Sequence, residues 1–124
     1  MILGIGTDII EVARIEKSIT NGTRFREKMF TENEQKYCET KKYKGQNYAA
    51  RFAAKEAFFK AIGTGYRGGI GFKDIEIINN ELGKPDIKLS DKAIKLFKDY
   101  KIKKIHVSLT HLKKYASANV VIEI

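Results

Sequence analysis

The chain has few of the features that mark secreted, membrane-spanning or linker-rich proteins. It contains one cysteine, Cys38, which cannot form an internal disulfide and therefore favours a reducing compartment, the cytoplasm. It contains one proline and no low-complexity tract, so no long linker is expected. No apolar run approaches the length of a membrane span. Charged residues within the first two predicted elements argue against a secretory signal.

Acidic residues are also in short supply, and this gives the chain a strongly basic character. Lysines and arginines number 24 against 15 aspartates and glutamates, so the formal net charge is +9. A basic surface attracts nucleic acids, anionic membranes, acidic proteins or phosphorylated small molecules, and charge alone does not choose among them. The length of 124 residues and the hydrophobic content of 43% predict one globular domain over residues 1–124.

The hydrophobic pattern predicts helices and strands that do not alternate strictly. Strands are predicted at 2–7, 72–78, 83–89, 105–109 and 115–124, and helices at 9–20, 31–40, 47–62 and from residue 90 onward. A short polar link between the last two strands predicts a hairpin. This order of elements predicts an α+β fold in which a largely antiparallel sheet packs against helices.

The predicted helix at 47–62 carries charges in an unusual setting, because it is apolar around most of its circumference. At 3.6 residues per turn, Glu56 and Lys60 share one stripe, while Arg51 and Lys55 share another. A helix that is apolar nearly all round is usually buried, and a buried charge needs a partner. Glu56 and Lys60 form either a simple ion pair, worth about 0.2–0.5 kcal/mol at a surface, or part of a functional site.

A second candidate element is the N-terminal strand. Gly4, Gly6 and Asp8 share one strand face, and glycine in a strand often marks the close approach of another backbone or a ligand. Asp8 is either a helix N-cap or a metal ligand at a strand end. Asp8 and Glu56 together would suit Mg²⁺, which is commonly held by one or two carboxylates, and Lys60 would suit a phosphate bound by that metal.

Two other segments leave alternatives open. The glycine-rich segment 63–71 offers either backbone N–H groups for phosphates or only a capped helix end and a turn. His106 and His111 lie an odd number of residues apart, so they are predicted on opposite strand faces and not as ligands of one zinc ion. Each histidine either hydrogen-bonds locally or contacts a phosphate or a ribose.

Four blocks of sequence in a fixed order give the chain a family resemblance. They are GIGTDI at 4–9, RFAAKEAFFKAIGTG at 51–65, GKP at 83–85 and HVSLTH at 106–111. In this order they resemble the short, single-domain class of 4′-phosphopantetheinyl transferases, the holo-[acyl-carrier-protein] synthases. The resemblance extends over essentially the whole chain. It implies the phosphopantetheinyl transferase-like fold and transfer of 4′-phosphopantetheine from coenzyme A to a serine of apo acyl carrier protein, with release of adenosine 3′,5′-bisphosphate.

The resemblance also implies roles for individual residues. Asp8 and Glu56 would bind Mg²⁺, and Glu56 and Lys60 would be the catalytic residues. The candidates for binding coenzyme A would be Arg51, Lys60, Gly63, Thr64, Gly65 and His111. Arg14, Arg24 and Phe25 would meet the acidic helix of the carrier. Members of this length are homotrimers with active sites between subunits and serve fatty acid biosynthesis.

One position departs from the pattern of the larger transferases, which carry Asp-x-Glu. The position two residues after Asp8 is Ile10, and Glu11 follows one residue later, so a water is expected to complete the Mg²⁺ shell. Two rival functions remain at this point. A nucleic-acid-binding module would explain the charge but lacks any recognisable binding signature, and a Mg²⁺-dependent phosphohydrolase would be expected to carry more acidic residues.

Overall fold

The computed structural model describes residues 1–65 and 68–124, and it contains one three-stranded and one two-stranded sheet in that part of the chain. The strands are β1 (Ile2–Glu11), β2 (Ile75–Asn79), β3 (Pro85–Leu89), β4 (Lys104–His111) and β5 (Tyr115–Glu123). The helices are α1 (Val12–Thr20), α2 (Arg24–Met29), α3 (Glu32–Glu39), α4 (Lys44–Ile62) and α5 (Asp91–Leu96). Short 3₁₀ turns occupy Phe72–Asp74 and Lys98–Tyr100.

Both sheets are antiparallel, which confirms the predicted α+β class. The larger sheet has the strand order β1-β5-β4, and its register places Asp8 beside Ala118 and Ala118 beside Leu109. The smaller sheet is the β2–β3 hairpin, which packs beside β4. The predicted β4–β5 hairpin is confirmed as well. In the part of the chain that the structure describes, no helix is long and apolar enough to cross a membrane.

Helix α4 packs across the larger sheet, and two glycines allow β1 to approach it. A Cβ atom on Gly6 would lie 1.7 Å from the carbonyl oxygen of Ala57, and one on Gly4 would lie 2.0 Å from that of Ala61. No real Cβ contact is this short, so any side chain at either position would push β1 away from α4. The close approach that the glycine spacing predicts is therefore made by the backbone of α4.

The predicted burial of Glu56 and Lys60 is wrong. Glu56 is half-buried and Lys60 is exposed, whereas Arg51 and Lys55 on the other stripe are 2% and 0% exposed. Glu56 and Lys60 lie on the flank of α4 that follows edge strand β1. This flank is open to solvent, although most of the helix surface is covered. The helix itself begins at Lys44, three residues earlier than predicted, and ends as expected at Gly63, whose φ of 81° is left-handed.

Three other boundaries differ from prediction. Strand β1 continues to Glu11, which pairs with Tyr115, so α1 begins at Val12 and not at residue 9. The short helix α2 was not predicted from the pattern. Strand β2 begins at Ile75, after a 3₁₀ turn. The start of α3 is confirmed in detail, because Thr31 and Glu34 form both hydrogen bonds of a capping box.

Candidate active site

The structure brings Asp8 of β1 next to Lys60 in the last turn of α4. Lys60 Nζ lies 3.1 Å from Asp8 Oδ1 and donates a 2.9 Å hydrogen bond to the carbonyl oxygen of Thr7. The Lys60 side chain is 55% exposed and that of Asp8 16% exposed. An ammonium group therefore stands at the surface beside a carboxylate that is mostly shielded from water.

Glu56 lies one helical turn before Lys60, on the same flank of α4. The strand that carries Asp8 crosses this part of the helix, since Gly6 of β1 meets Ala57, the residue next to Glu56. The three candidate residues are thus gathered where β1 crosses α4. The arrangement is more than a simple Glu56–Lys60 ion pair, because Lys60 is bonded to β1.

Asp8 is not a helix N-cap, and the structure excludes this alternative. Asp8 lies within β1, and the N-cap of α1 is Glu11, whose side chain makes no capping hydrogen bond. Because side chains alternate along a strand, Ile10 shares the face of Asp8 and Glu11 points to the opposite face. Glu11 therefore does not extend the Asp8 site in this subunit.

The donor set of the site fits a magnesium ion with an incomplete protein shell. Asp8 and Glu56 supply two carboxylates from separate elements, the ligand type and number that Mg²⁺ commonly takes from proteins. Across residues 1–65 and 68–124, no group of three or more His, Cys, Asp or Glu side chains converges on one point. The remaining ligands of such an ion would have to come from water or from substrate phosphates.

Two glycines directly follow the end of α4 that carries Lys60. Gly63 and Gly65 have φ values of 81° and 63°, in the left-handed region that favours glycine. Thr64 between them is half-buried, and its hydroxyl lies 3.5 Å from the carbonyl oxygen of Gly65. These residues follow Lys60 by three to five positions, so they stand at the same end of α4. The predicted glycine-rich segment includes residues 66 and 67, which lie outside the described residues.

The structure places Arg51 away from this group. Nine residues separate Arg51 from Lys60, which is half a turn around the helix axis. The Arg51 guanidinium stacks on Tyr37 at 4.0 Å from the ring centroid, and its Nη2 donates to Asn79 Oδ1. Its Nε is buried and has no hydrogen-bond partner within the described chain. Arg51 is thus anchored toward the β2–β3 hairpin, on the far flank of α4.

A surface cavity of about 270 Å³ lies between this hairpin and β4. Asn79, Lys84, Pro85 and His106 are among the residues that line it. His106 also pairs with Glu123 at 3.0 Å, and this hydrogen bond lowers the pKa of the Glu123 carboxyl. Lys84 and Pro85 of the GKP block thus line the same cavity as Asn79, the hydrogen-bond partner of Arg51.

His111 lies at the end of β4, the other edge strand of the sheet. Its Nδ1 lies 2.8 Å from Gln46 Oε1 at the start of α4, whereas His106 is exposed on the opposite face of β4. The predicted separation of the two histidines onto opposite faces is therefore confirmed. Strand β5 separates His111 from Asp8, so one chain does not bring these two candidates together.

The residues expected to meet the carrier lie on α1 and α2. Arg14 and Arg24 are exposed, and Phe25 is half-buried against Phe52 of α4, with ring centroids 6.0 Å apart. Arg14 also lines a shallow surface depression beside β1. The two helices thus carry two exposed cationic side chains, and α2 adds an aromatic ring that is only partly covered.

Comparison with known proteins defines the class. Residues 4–120 match the family model of the 4′-phosphopantetheinyl transferase superfamily. A holo-[acyl-carrier-protein] synthase of Clostridium beijerinckii is 53% identical over 123 residues, which cover 99% of this chain and 98% of that relative. The crystal structure of the Neisseria meningitidis holo-[acyl-carrier-protein] synthase superposes with a TM-score of 0.92 at 35% identity, covering 100% of both chains.

A second solved structure carries a ligand. The holo-(acyl-carrier-protein) synthase of Bacillus anthracis, in complex with CoA (3′,5′-ADP), has a TM-score of 0.82 at 40% identity and covers 98% of this chain and 96% of its own. The chain therefore belongs to the holo-[acyl-carrier-protein] synthases, a family of phosphopantetheinyl transferases. The family resemblance seen in the sequence is confirmed.

Sequence reasoning missed two residues that matter around the site. Asn79 carries no functional signal in the sequence, but it receives the Arg51 hydrogen bond and lines the cavity beside β4. Glu34 stands three residues after Thr31, the spacing of a capping box, but it is 1% exposed and pairs with the buried Lys55. A carboxylate in a capping box looks like a surface residue in sequence, so no local signal marks Glu34 as buried.

Proposed function

We propose that the protein transfers 4′-phosphopantetheine from coenzyme A to a serine of apo acyl carrier protein, with Mg²⁺, and releases adenosine 3′,5′-bisphosphate. The observation that carries this proposal is the grouping of Asp8, Glu56 and Lys60 where β1 crosses α4. Two carboxylates and an exposed ammonium at one corner suit a metal-bound pyrophosphate. The same proposal places the enzyme in the cytoplasm, as one domain over residues 1–124 that serves fatty acid biosynthesis.

In this proposal Asp8 and Glu56 hold the ion. When bound, Mg²⁺ would neutralise charge on the pyrophosphate oxygens and orient the leaving group. Lys60 is close enough to Asp8 to reach the same phosphates, and its ammonium would offset charge on the departing oxygen. Phosphoryl transfer needs positioning and charge neutralisation more than covalent participation of the protein.

The acceptor serine must lose a proton during transfer. Glu56 is our candidate for the general base, either directly or through a water that it orients, because its half-buried carboxylate stands beside Lys60. The glycines at 63 and 65 and Thr64 stand at the same end of α4, where backbone N–H groups can meet further phosphate oxygens.

The nucleotide end of coenzyme A would bind at the opposite edge of the sheet. Arg51 reaches Asn79, which lines the cavity beside β4 together with Lys84, and His111 lies farther along the same edge strand. Its mixture of amide, ammonium and aliphatic groups suits a base and a phosphate. Coenzyme A that contacts Lys60 on one flank of α4 and Arg51 on the other cannot do so within one chain, because the two residues lie half a turn apart.

This separation supports the proposal of a homotrimer with active sites between subunits. The outer face of the larger sheet, which α4 does not cover, exposes Ile5 and Ile9 by 68% each and Tyr115 by 48%. A sheet face that leaves several large apolar side chains exposed suits burial against another copy of the chain. In such an assembly, the Asp8 edge of one subunit would meet the His111 edge of the next.

Acyl carrier proteins of the kind implied by the family are small and acidic, and the charge of this chain suits them. Arg14 and Arg24 would pair with an acidic helix, while Phe25 would provide an apolar contact. The net charge of +9 would steer the carrier and make association sensitive to salt.

The direct test is incubation of the protein with coenzyme A, Mg²⁺ and an apo acyl carrier protein, followed by mass spectrometry of the carrier. We expect the carrier to gain one phosphopantetheine, and chelation of Mg²⁺ to abolish the gain. An unmodified carrier would contradict the proposal. Loss of phosphate from coenzyme A without carrier modification would indicate a hydrolase, and salt-sensitive RNA binding without transfer would indicate a nucleic-acid-binding module.

A further inference from the structure

A buried polar cluster lies beneath α4, centred on Lys55, the residue before Glu56. Lys55 Nζ donates three hydrogen bonds: to Glu34 Oε1 at 2.6 Å, to the carbonyl oxygen of Met29 at 2.9 Å and to that of Phe72 at 2.9 Å. The Lys55 and Glu34 side chains are both 0% exposed. All three protons of the ammonium are therefore committed, and each acceptor belongs to a different segment of the chain.

Glu34 ties the cluster to the N-cap of its own helix and to one further segment, β2. Its Oε1 also accepts a 2.8 Å hydrogen bond from the backbone N–H of Thr31, and its Oε2 accepts one of 2.9 Å from that of Ile77 in β2. A fully satisfied network of this kind holds its members in one geometry. Replacing a buried ion pair by well-packed apolar residues is often neutral for stability. The Lys55–Glu34 pair is thus better suited to fixing the relative positions of the segments that it joins than to adding stability.

One of the three acceptors connects the cluster to the proposed carrier-binding surface. Met29 is the last residue of α2, and α2 carries Arg24 and Phe25. At its other end, α2 contacts α4 through the rings of Phe25 and Phe52, a contact without a fixed direction, and its Arg26 pairs with Glu39 of α3 at 3.4 Å. The Lys55 bond to Met29 is directional, so it sets where α2 lies along α4.

We propose that Lys55 is a positioning residue that fixes the carrier-binding helix α2 relative to Glu56 and Lys60. A docked carrier would then present its serine in line with the phosphate held by the adjacent residues. A misplacement of about 1 Å far from the reacting atoms can cost on the order of 100-fold in rate. This inference rests on the proposed function and adds to it the element that aligns the two substrates.

The test is a double variant, Lys55→Met with Glu34→Leu, which replaces the ion pair by apolar residues and removes the bond to Met29. We expect a folded protein whose kcat for carrier modification falls by about 10- to 100-fold. The dissociation constants for coenzyme A and for the apo carrier should stay within about threefold of wild type, because neither binding surface loses a residue. Kinetics are measured at a temperature where circular dichroism shows the variant fully folded.

Two controls separate positioning from stability. Glu34→Gln lowers stability but leaves the Lys55 bond to Met29, so its kcat should stay near wild type. Phe97→Leu removes a core ring that packs on Phe58 and Tyr100, and it should also lower stability without lowering kcat. Should the double variant not fold, Lys55→Gln with Glu34→Gln takes its place, because it leaves no buried charge and the shorter side chain at position 55 cannot reach Met29.

Three results would overturn the inference. They are a folded double variant with kcat within about twofold of wild type, an equal fall of kcat in the controls, and a loss of coenzyme A affinity as large as the loss of kcat. Failure of the wild-type protein to modify the carrier is a different outcome, since it would refute the proposed function itself.

Discussion

At the residue scale, a conservative substitution of Glu56 tests the role proposed for its carboxylate. Glu56→Gln keeps the shape of a half-buried side chain but removes the charge proposed to hold Mg²⁺ and to accept the serine proton. Changes to the partners of a metal ligand alone typically cost about 10- to 100-fold in activity. We therefore expect carrier modification to fall by at least about 100-fold, measured as the initial rate of mass gain.

The matched control is Glu32→Gln, which makes the same change on the exposed start of α3. Its side chain is 85% exposed and pairs with the exposed Lys36 at 3.6 Å, far from the candidate site in sequence and on a different helix, so activity should be unchanged. Both variants should melt within a few degrees of wild type. Near-normal activity of Glu56→Gln would show that the metal assignment is wrong.

The charged residues of α4 show how far sequence reasoning reaches. The pattern identified two charged stripes on an apolar helix, and the family resemblance assigned Glu56 and Lys60 their roles. It could not tell which stripe is buried, because that depends on where β1, α2 and α3 pack around the helix. Lys55 is buried as an ion pair with Glu34, which stands more than twenty positions earlier in the chain.

At the element scale, the crossing of β1 over α4 depends on the absence of a side chain at Gly6. Gly6→Ala would place a methyl group 1.7 Å from the carbonyl oxygen of Ala57, so the strand must shift. Overpacking of this kind typically costs about 1–3 kcal/mol, and this contact is severe enough to reach the upper end. The shift would also move Asp8 away from Lys60, so we expect activity to fall further than stability alone explains.

Gly71→Ala is the control for this substitution. Gly71 has an extended backbone with φ of −130°, and nothing lies within 4 Å of a Cβ atom there. Chemical denaturation should therefore show little loss of stability for Gly71→Ala. If Gly6→Ala is as stable and as active as Gly71→Ala, the close approach of β1 to α4 does not require glycine at position 6.

Element boundaries were less predictable than element types. The sequence predicts a strand over 2–7 and a helix over 9–20, but the strand continues to Glu11 because Tyr115 of β5 offers a pairing partner. Such a partner is distant in sequence, so local pattern cannot reveal it. This single difference decides that Asp8 is a strand residue beside Lys60 and not a helix cap.

Helix α1 offers a second prediction at this scale. Arg14→Glu reverses one exposed charge on the proposed carrier-binding surface, so the KM for the carrier should rise by about tenfold or more while that for coenzyme A changes little. Raising the salt concentration should reduce the difference between variant and wild type. Lys95→Glu makes a similar charge change on α5 and should leave both KM values near wild type. Equal effects of Arg14→Glu on both substrates would contradict the assignment of α1 to the carrier.

At the scale of the whole molecule, the two groups of candidate residues lie at opposite edges of one sheet. Asp8 is on edge strand β1 and His111 is on edge strand β4, with β5 between them and α4 packed across the sheet. The outer face of the sheet exposes Ile5, Ile9 and Tyr115. In the proposed trimer, this division would assign the two groups to different subunits, an arrangement that no local sequence pattern reveals.

Complementation between inactive variants tests this division. In a ring of subunits, a site built from Asp8 of one chain and His111 of the next is intact whenever the first chain is His111→Ala and the second is Asp8→Ala. Each variant alone should be nearly inactive. After mixing in equal amounts, unfolding and reassembly, about one quarter of the sites should be intact, because each of the two chains is the required one with a probability of about one half. Activity should then recover to about a quarter of wild type, while a mixture of two Asp8→Ala preparations stays inactive. If every site lies within one chain, the mixture will be no more active than its components.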